Sequence, residues 1–129
     1  KLFSDKFKGM TTLVCDADSP KEKISLLKNR GVNVLQIPAK RADEGKFWDE
    51  FKTALNAQKI SGVMVEGGAK ILTSIIKSCA ADYVFEYTAG KVFDAADALD
   101  AFACPAPEIK NPILESLPPD ECRRGFLQK

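Results

Sequence analysis

Short apolar runs alternate with capped amphipathic stretches from Thr11 to Thr88, and this alternation restricts the chain more than any other feature. Thr11–Ala17 (TTLVCDA), with its strand core at Thr12–Asp16, is short, β-branched and apolar, as a buried strand requires. Ser19, Pro20 and Glu22 then spell a helix start. Ser19 is the candidate N-cap, Pro20 takes the first helical position and Glu22 closes an S-x-x-E box. Ile24 and Leu27 give that helix its inner face, and Gly31 ends it. Val32–Ile37 is a second strand, stopped by Pro38. A charged loop leads to a second helix over Lys46–Gln58, whose Phe47, Phe51 and Leu55 repeat at i, i+4, i+8 as a core stripe. Gly62–Val65 is a third buried strand, Ala69–Cys79 a third helix, and Tyr83–Thr88 a fourth strand.

The expected class is therefore α/β, a mainly parallel sheet with flanking helices, because β-α-β order calls for parallel strands joined by crossovers. With 129 residues the chain suits one domain. Its βαβαβαβ core occupies 11–93 and a Pro-rich closing segment 94–129. Val92–Phe102 is a candidate short helix, and Ile113–Leu117 and Cys122–Leu127 are candidates for an antiparallel C-terminal hairpin across Pro118-Pro119-Asp120.

Composition narrows the chemistry. Nineteen basic residues face eighteen acidic ones, and that balance lacks the one-sided field that selects nucleic acid or a membrane surface. No apolar run approaches the ~18 residues of a membrane span, so a cytosolic location is expected. The four cysteines form no C-x-x-C pair, which points to reduced thiols and to no metal site. Histidine is absent, and with it Ser–His and Cys–His nucleophiles. Chemistry must then rest on carboxylates, lysines, backbone amides or a bound cofactor.

One turn stands out, SGVMVEGGAKILTS from Ser61 to Ser74. A strand runs into Gly67-Gly68 and then into a helix whose first N–H groups lack partners and carry partial positive charge. Phosphate is the natural ligand of such a place, although the turn is neither G-x-G-x-x-G nor a P-loop. A plain tight βα turn remains the alternative. Glu66 is placed either to project over the sheet edge or to cap the helix. Lys70 sits where the dipole disfavours a cation, so it either supports a bound phosphate or is a solvated lysine leaning on Glu66.

The segment VMVEGGAKILTSIIKSCAADYVFEYTAGKVF resembles the C-terminal reductase domain of the bifunctional riboflavin-biosynthesis deaminase/reductase family, also found as a stand-alone diaminohydroxyphosphoribosylaminopyrimidine reductase. The matching pieces are Val65-Glu66-Gly67-Gly68, the following helix, Ala81-Asp82-Tyr83 and Ala89-Gly90-Lys91, within a span of roughly Thr11 to Phe93. The resemblance implies a dihydrofolate-reductase-like fold and NADPH-dependent reduction of the ribosyl group of a pyrimidine riboside phosphate. It implies that Gly67, Gly68, Ala69, Lys70, Ile71, Leu72, Thr73 and Ser74 hold NADPH and that Glu66 meets substrate; it names no catalytic residue. Ala69, Lys70 and Gly90 depart from the family's usual proline, threonine and proline.

Family members begin with a segment like S-L-D-G-K-I, and nothing before Thr11 matches it. The chain thus reads as the C-terminal portion of the domain, expected not to turn over substrate alone. Its expected partner is a second copy or the remainder of its own protein. A non-catalytic α/β assembly or anion-binding module is the competing reading.

Overall fold

The computed structural model describes residues 3–40, 42–91 and 100–128. They divide into two compact units, Lys1–Val63 and Met64–Lys129.

The first unit contains β1 (Thr12–Cys15), α1 (Lys21–Asn29), β2 (Asn33–Gln36) and α2 (Glu44–Ala57). β1 and β2 are parallel, with Thr12 opposite Asn33 and Cys15 opposite Gln36, as the β-α-β order demands. Ile24, Val32, Ile37 and Ala39 are its buried apolar residues. The start of α1 differs from expectation. Pro20 is the N-cap, and Ser19 instead donates its hydroxyl to Asp16 Oδ1 at 2.9 Å. Serine hydroxyls readily choose such a local turn partner over a helix N–H. The end of α1 is as expected. Gly31 has φ +81°, Val32 N–H bonds the Leu27 carbonyl at 3.1 Å and Gly31 N–H that of Lys28 at 2.9 Å, a left-handed Schellman closure. Asp43 caps α2 by accepting from Lys46 N–H. The expected stripe of α2 is half-buried, and Phe47, Trp48 and Phe51 stack among themselves with ring centroids 5.7–6.4 Å apart.

The second unit contains α3 (Ala69–Lys77), β3 (Tyr83–Ala89), β4 (Ile109–Leu117) and β5 (Asp120–Leu127). Its sheet has the order β3-β5-β4 and is antiparallel throughout. The C-terminal hairpin forms as expected, with Leu117 opposite Asp120 across a cis Pro118-Pro119 bond. On the edge strand β4 a bulge between Lys110 and Ile113 holds Asn111 at φ +47° and accommodates Pro112, which cannot donate to a ladder.

The expectation of a mainly parallel four-stranded sheet is corrected in two places. Ile60–Gly68 carries no strand, and Val63 and Met64 are 50% and 73% exposed. Tyr83–Thr88 is a strand but pairs antiparallel with β5. Apolar character does not make a strand without a partner edge. Here the hairpin β4–β5, closed by a two-residue loop at little entropic cost, offers β3 its edge. The parallel sheet stops at two strands. What stands is a mixed α/β chain with helices, one parallel pair and one antiparallel sheet. The candidate helix over Val92–Phe102 lies mostly outside the described residues.

Candidate functional site

The Gly-Gly turn lies wholly within the second unit. Glu66, Gly67 and Gly68 are exposed, and α3 starts directly behind them. Gly68 is the N-cap, with φ −75° and ψ 172°, and brings no side chain to cap the helix. The first bond into the helix runs from Ile71 N–H to the Gly68 carbonyl at 3.0 Å, so the N–H groups of Ala69 and Lys70 precede the ladder. The first turn holds no acidic residue and the last holds Lys77, which leaves the partial positive charge of the N-terminus unneutralised by the helix itself.

The two glycines differ. A Cβ on Gly68 would meet nothing within 4 Å, whereas one on Gly67 would stand 3.1 Å from Ile71 Cβ. Gly67 is therefore crowded by the close passage of Ile71, and Gly68 keeps an approach to the backbone open.

The remaining expected residues are spread around α3. Lys70 is exposed and, among the described residues, forms no ion pair with Glu66. Glu66 does not cap α3, which has no side-chain cap bond. Ile71 is exposed, and Leu72, Thr73 and Ser74 are half-buried. Thr73 Oγ1 accepts from Ala103 N–H at 2.7 Å and so ties α3 to the segment after residue 100. The structure thus brings Glu66, Gly67, Gly68, Ala69 and Lys70 together at one exposed helix end, while Leu72, Thr73 and Ser74 turn partly inward.

Three features escaped the sequence reading. Cys79, expected on the apolar face of α3, lies beyond its end at φ +49°; Ala80 N–H bonds the Ile75 carbonyl and Cys79 N–H that of Ile76, each at 3.0 Å. This is the same left-handed closure that Gly31 makes for α1, here with a side chain present. A cavity of about 110 Å³ lies beside it, at the far end of α3 from the glycines, lined by Ile75, Ile76, Pro107, Glu108 and Leu127 as well as Cys79. The third feature is an aromatic sheet face. Tyr83, Phe85 and Tyr87 alternate on one side of β3, and Tyr83 packs edge-on against Phe126 at 5.0 Å and tilted against Phe85 at 5.1 Å. The period-two spelling Y-V-F-E-Y was the available signal.

Charge on that face is local. Arg124 and Glu115 share it, with Arg124 Nε 3.5 Å from Glu115 Oε2. This is ion-pair distance without hydrogen-bond geometry, and the buried Nε has no hydrogen-bond partner among the described residues. The Tyr83 side chain, and then the Glu115 carboxylate, push the Arg124 pKa up further, so it is a permanent cation. The charge of Cys122 raises the Tyr87 phenol above the ordinary tyrosine range, helped by desolvation.

Among the described residues no group of three or more His, Cys, Asp or Glu is placed to hold a metal, and no helix is long and apolar enough to cross a membrane. The chain matches no family model and no curated protein.

Proposed function

We propose that this chain supplies the cofactor-binding part of an NADPH-dependent reductase of a dihydrofolate-reductase-like fold. It would reduce the ribosyl group of a diaminohydroxy-phosphoribosylaminopyrimidine-type intermediate in riboflavin biosynthesis. One observation carries the reading: the uncapped N-terminus of α3 opens to solvent behind Gly67-Gly68, with the cation of Lys70 in its first turn. The donor set fits a dinucleotide phosphate. Ala69 and Lys70 N–H groups are free of the helix ladder, Gly68 leaves the approach clear, and the helix end is electropositive.

In this reading Gly67 and Gly68 set the turn, Ala69 and Lys70 N–H groups bind phosphate oxygens, and the Lys70 ammonium neutralises their charge. Glu66 orients the substrate from the residue just before the two glycines. NADPH, when bound, would supply the hydride, which no protein side chain provides.

Calorimetric titration of the full chain with NADPH tests the proposal. The parent binds, and Gly68→Val does not, because a branched side chain occupies the approach. Gly68 has an ordinary extended backbone, so the substitution costs only about 0.5–1 kcal/mol of capping and leaves the fold intact. Unchanged NADPH affinity in a folded Gly68→Val variant refutes the site. Binding of inorganic phosphate with no preference for NADPH favours the anion-binding module instead.

A further inference from the structure

The aromatic face of the β3-β5-β4 sheet points to a second copy of this chain as its occupant: we infer that two chains associate face to face through it. The inference rests on surface shape and charge and is independent of the reductase reading. Phe85, Tyr87 and Phe126 are 47%, 64% and 64% exposed, and Ile113 and Leu117 on the same face are 50% and 42% exposed. The pairing of Tyr87 with Cys122, Cys122 with Glu115 and Arg124 with Ile113 places these side chains on one side of the sheet.

Area favours a protein partner. At about 150–250 Å² for each aromatic side chain and somewhat less for each aliphatic one, the exposed fractions come to roughly 500 Å² of apolar surface. Two copies face to face then bury about 1,000 Å² before any polar rim is added, the size at which specific interfaces begin. A patch of this size is toward the upper end of the ~300–600 Å² that the largest apolar patch of a monomer covers, and such patches are often functional.

Charge selects the partner as a copy. Among the described residues, the opposite charges in the middle of the face are Arg124 and Glu115, side by side, with Lys110 beside Phe126 and Asp120 beside Leu117 toward its two ends. A plus–minus pair is its own complement under a two-fold rotation. With the axis in the interface plane and across the Arg124–Glu115 line, the exposed part of each Arg124 guanidinium meets the Glu115 of the other copy. Single-stranded nucleic acid, the usual guest of an aromatic sheet, wants an unpaired positive groove, and here the central cation is already matched by a carboxylate. The strand edge is a poor alternative contact, since β4 is interrupted by a bulge and Pro112.

Sedimentation equilibrium of the full chain across micromolar concentrations is the test. The expected result is a dimer at twice the 14.1 kDa chain mass. Phe126→Glu should raise its dissociation constant by at least ~30-fold, as removal of a central aromatic anchor does. Should that variant lose its far-UV circular dichroism, Tyr87→Glu, equally exposed, carries the same expectation. The double exchange Arg124→Glu with Glu115→Arg keeps the pattern self-complementary and should retain the dimer, whereas Glu115→Arg alone should weaken it. A parent that stays at 14.1 kDa overturns the inference. So does a dimer indifferent to Phe126→Glu and Tyr87→Glu, or tight binding of a labelled single-stranded oligonucleotide that Phe126→Glu abolishes.

Discussion

Gly125 is the position where a single methyl group should be felt most. A glycine inside a strand ordinarily weakens it, and its replacement by alanine should gain a little from backbone entropy. The surroundings of Gly125 reverse that sign. A Cβ there would stand 2.5 Å from Ile109 Cγ2 and 3.3 Å from the Lys110 carbonyl oxygen. Unstrained carbon–carbon contacts lie at about 3.5–4.0 Å, so Ile109 must retreat by ~1 Å or more. It has little room, being 7% exposed and opposite Leu127 in the ladder. Overpacking of this kind costs about 1–3 kcal/mol. If the second unit unfolds as one body, ~2 kcal/mol lowers its Tm by about 8–16 °C. Ile109→Ala alone removes a buried side chain and costs about 2–5 kcal/mol. The double variant should cost less than the sum of the two, by the ~1–3 kcal/mol of the clash, because the shortened side chain has no Cγ2 to collide. Urea titration followed by far-UV circular dichroism measures all four corners of the cycle. A Gly125→Ala chain within ~0.5 kcal/mol of the parent, or strictly additive variants, would refute the packing argument.

Lys70→Ala should weaken NADPH binding at low salt and flatten its salt dependence, since a charge-assisted contact is worth about 1.5–3 kcal/mol; calorimetry at two ionic strengths reads it, and unchanged affinity marks a solvated lysine. Cys79→Gly should stabilise the second unit by ~0.5–1 kcal/mol in urea titration, because glycine occupies φ +49° without the penalty of a Cβ. Tyr87 should ionise later than an ordinary tyrosine in a phenolate absorbance titration, and Cys122→Ser should bring it back down. The raised pKa fixes the sign of its contribution. The unfolded chain releases the phenolic proton first, so this contribution is present below the ordinary tyrosine range and is lost as pH climbs from there through the raised folded value.

What the sequence determined by itself was local. Gly31 announced the left-handed end of α1 because only the missing Cβ makes that conformation free of strain. The βαβ order of Thr12–Gln36 announced parallel pairing because a helix between two strands leaves no short return. The Gly67-Gly68 turn was legible as the start of a helix, and the run from Ile113 to Leu127 as a hairpin. Tertiary structure decided everything that depends on which edge finds which partner. Val63 and Met64 are as apolar as any buried strand, yet they lie exposed, because burial is a property of the neighbour and not of the run. Tyr83–Ala89 has the composition of a strand in either direction, and its antiparallel sense was set by β5, a partner more than thirty residues away in the chain. The same pairing turned one side of β3 into a connected aromatic surface. The β4–β5 pairing put Gly125 under Ile109 and left Arg124 beside Glu115 with one N–H unanswered. No spacing within a single element encodes such cross-strand contacts; the register of the assembled sheet creates them.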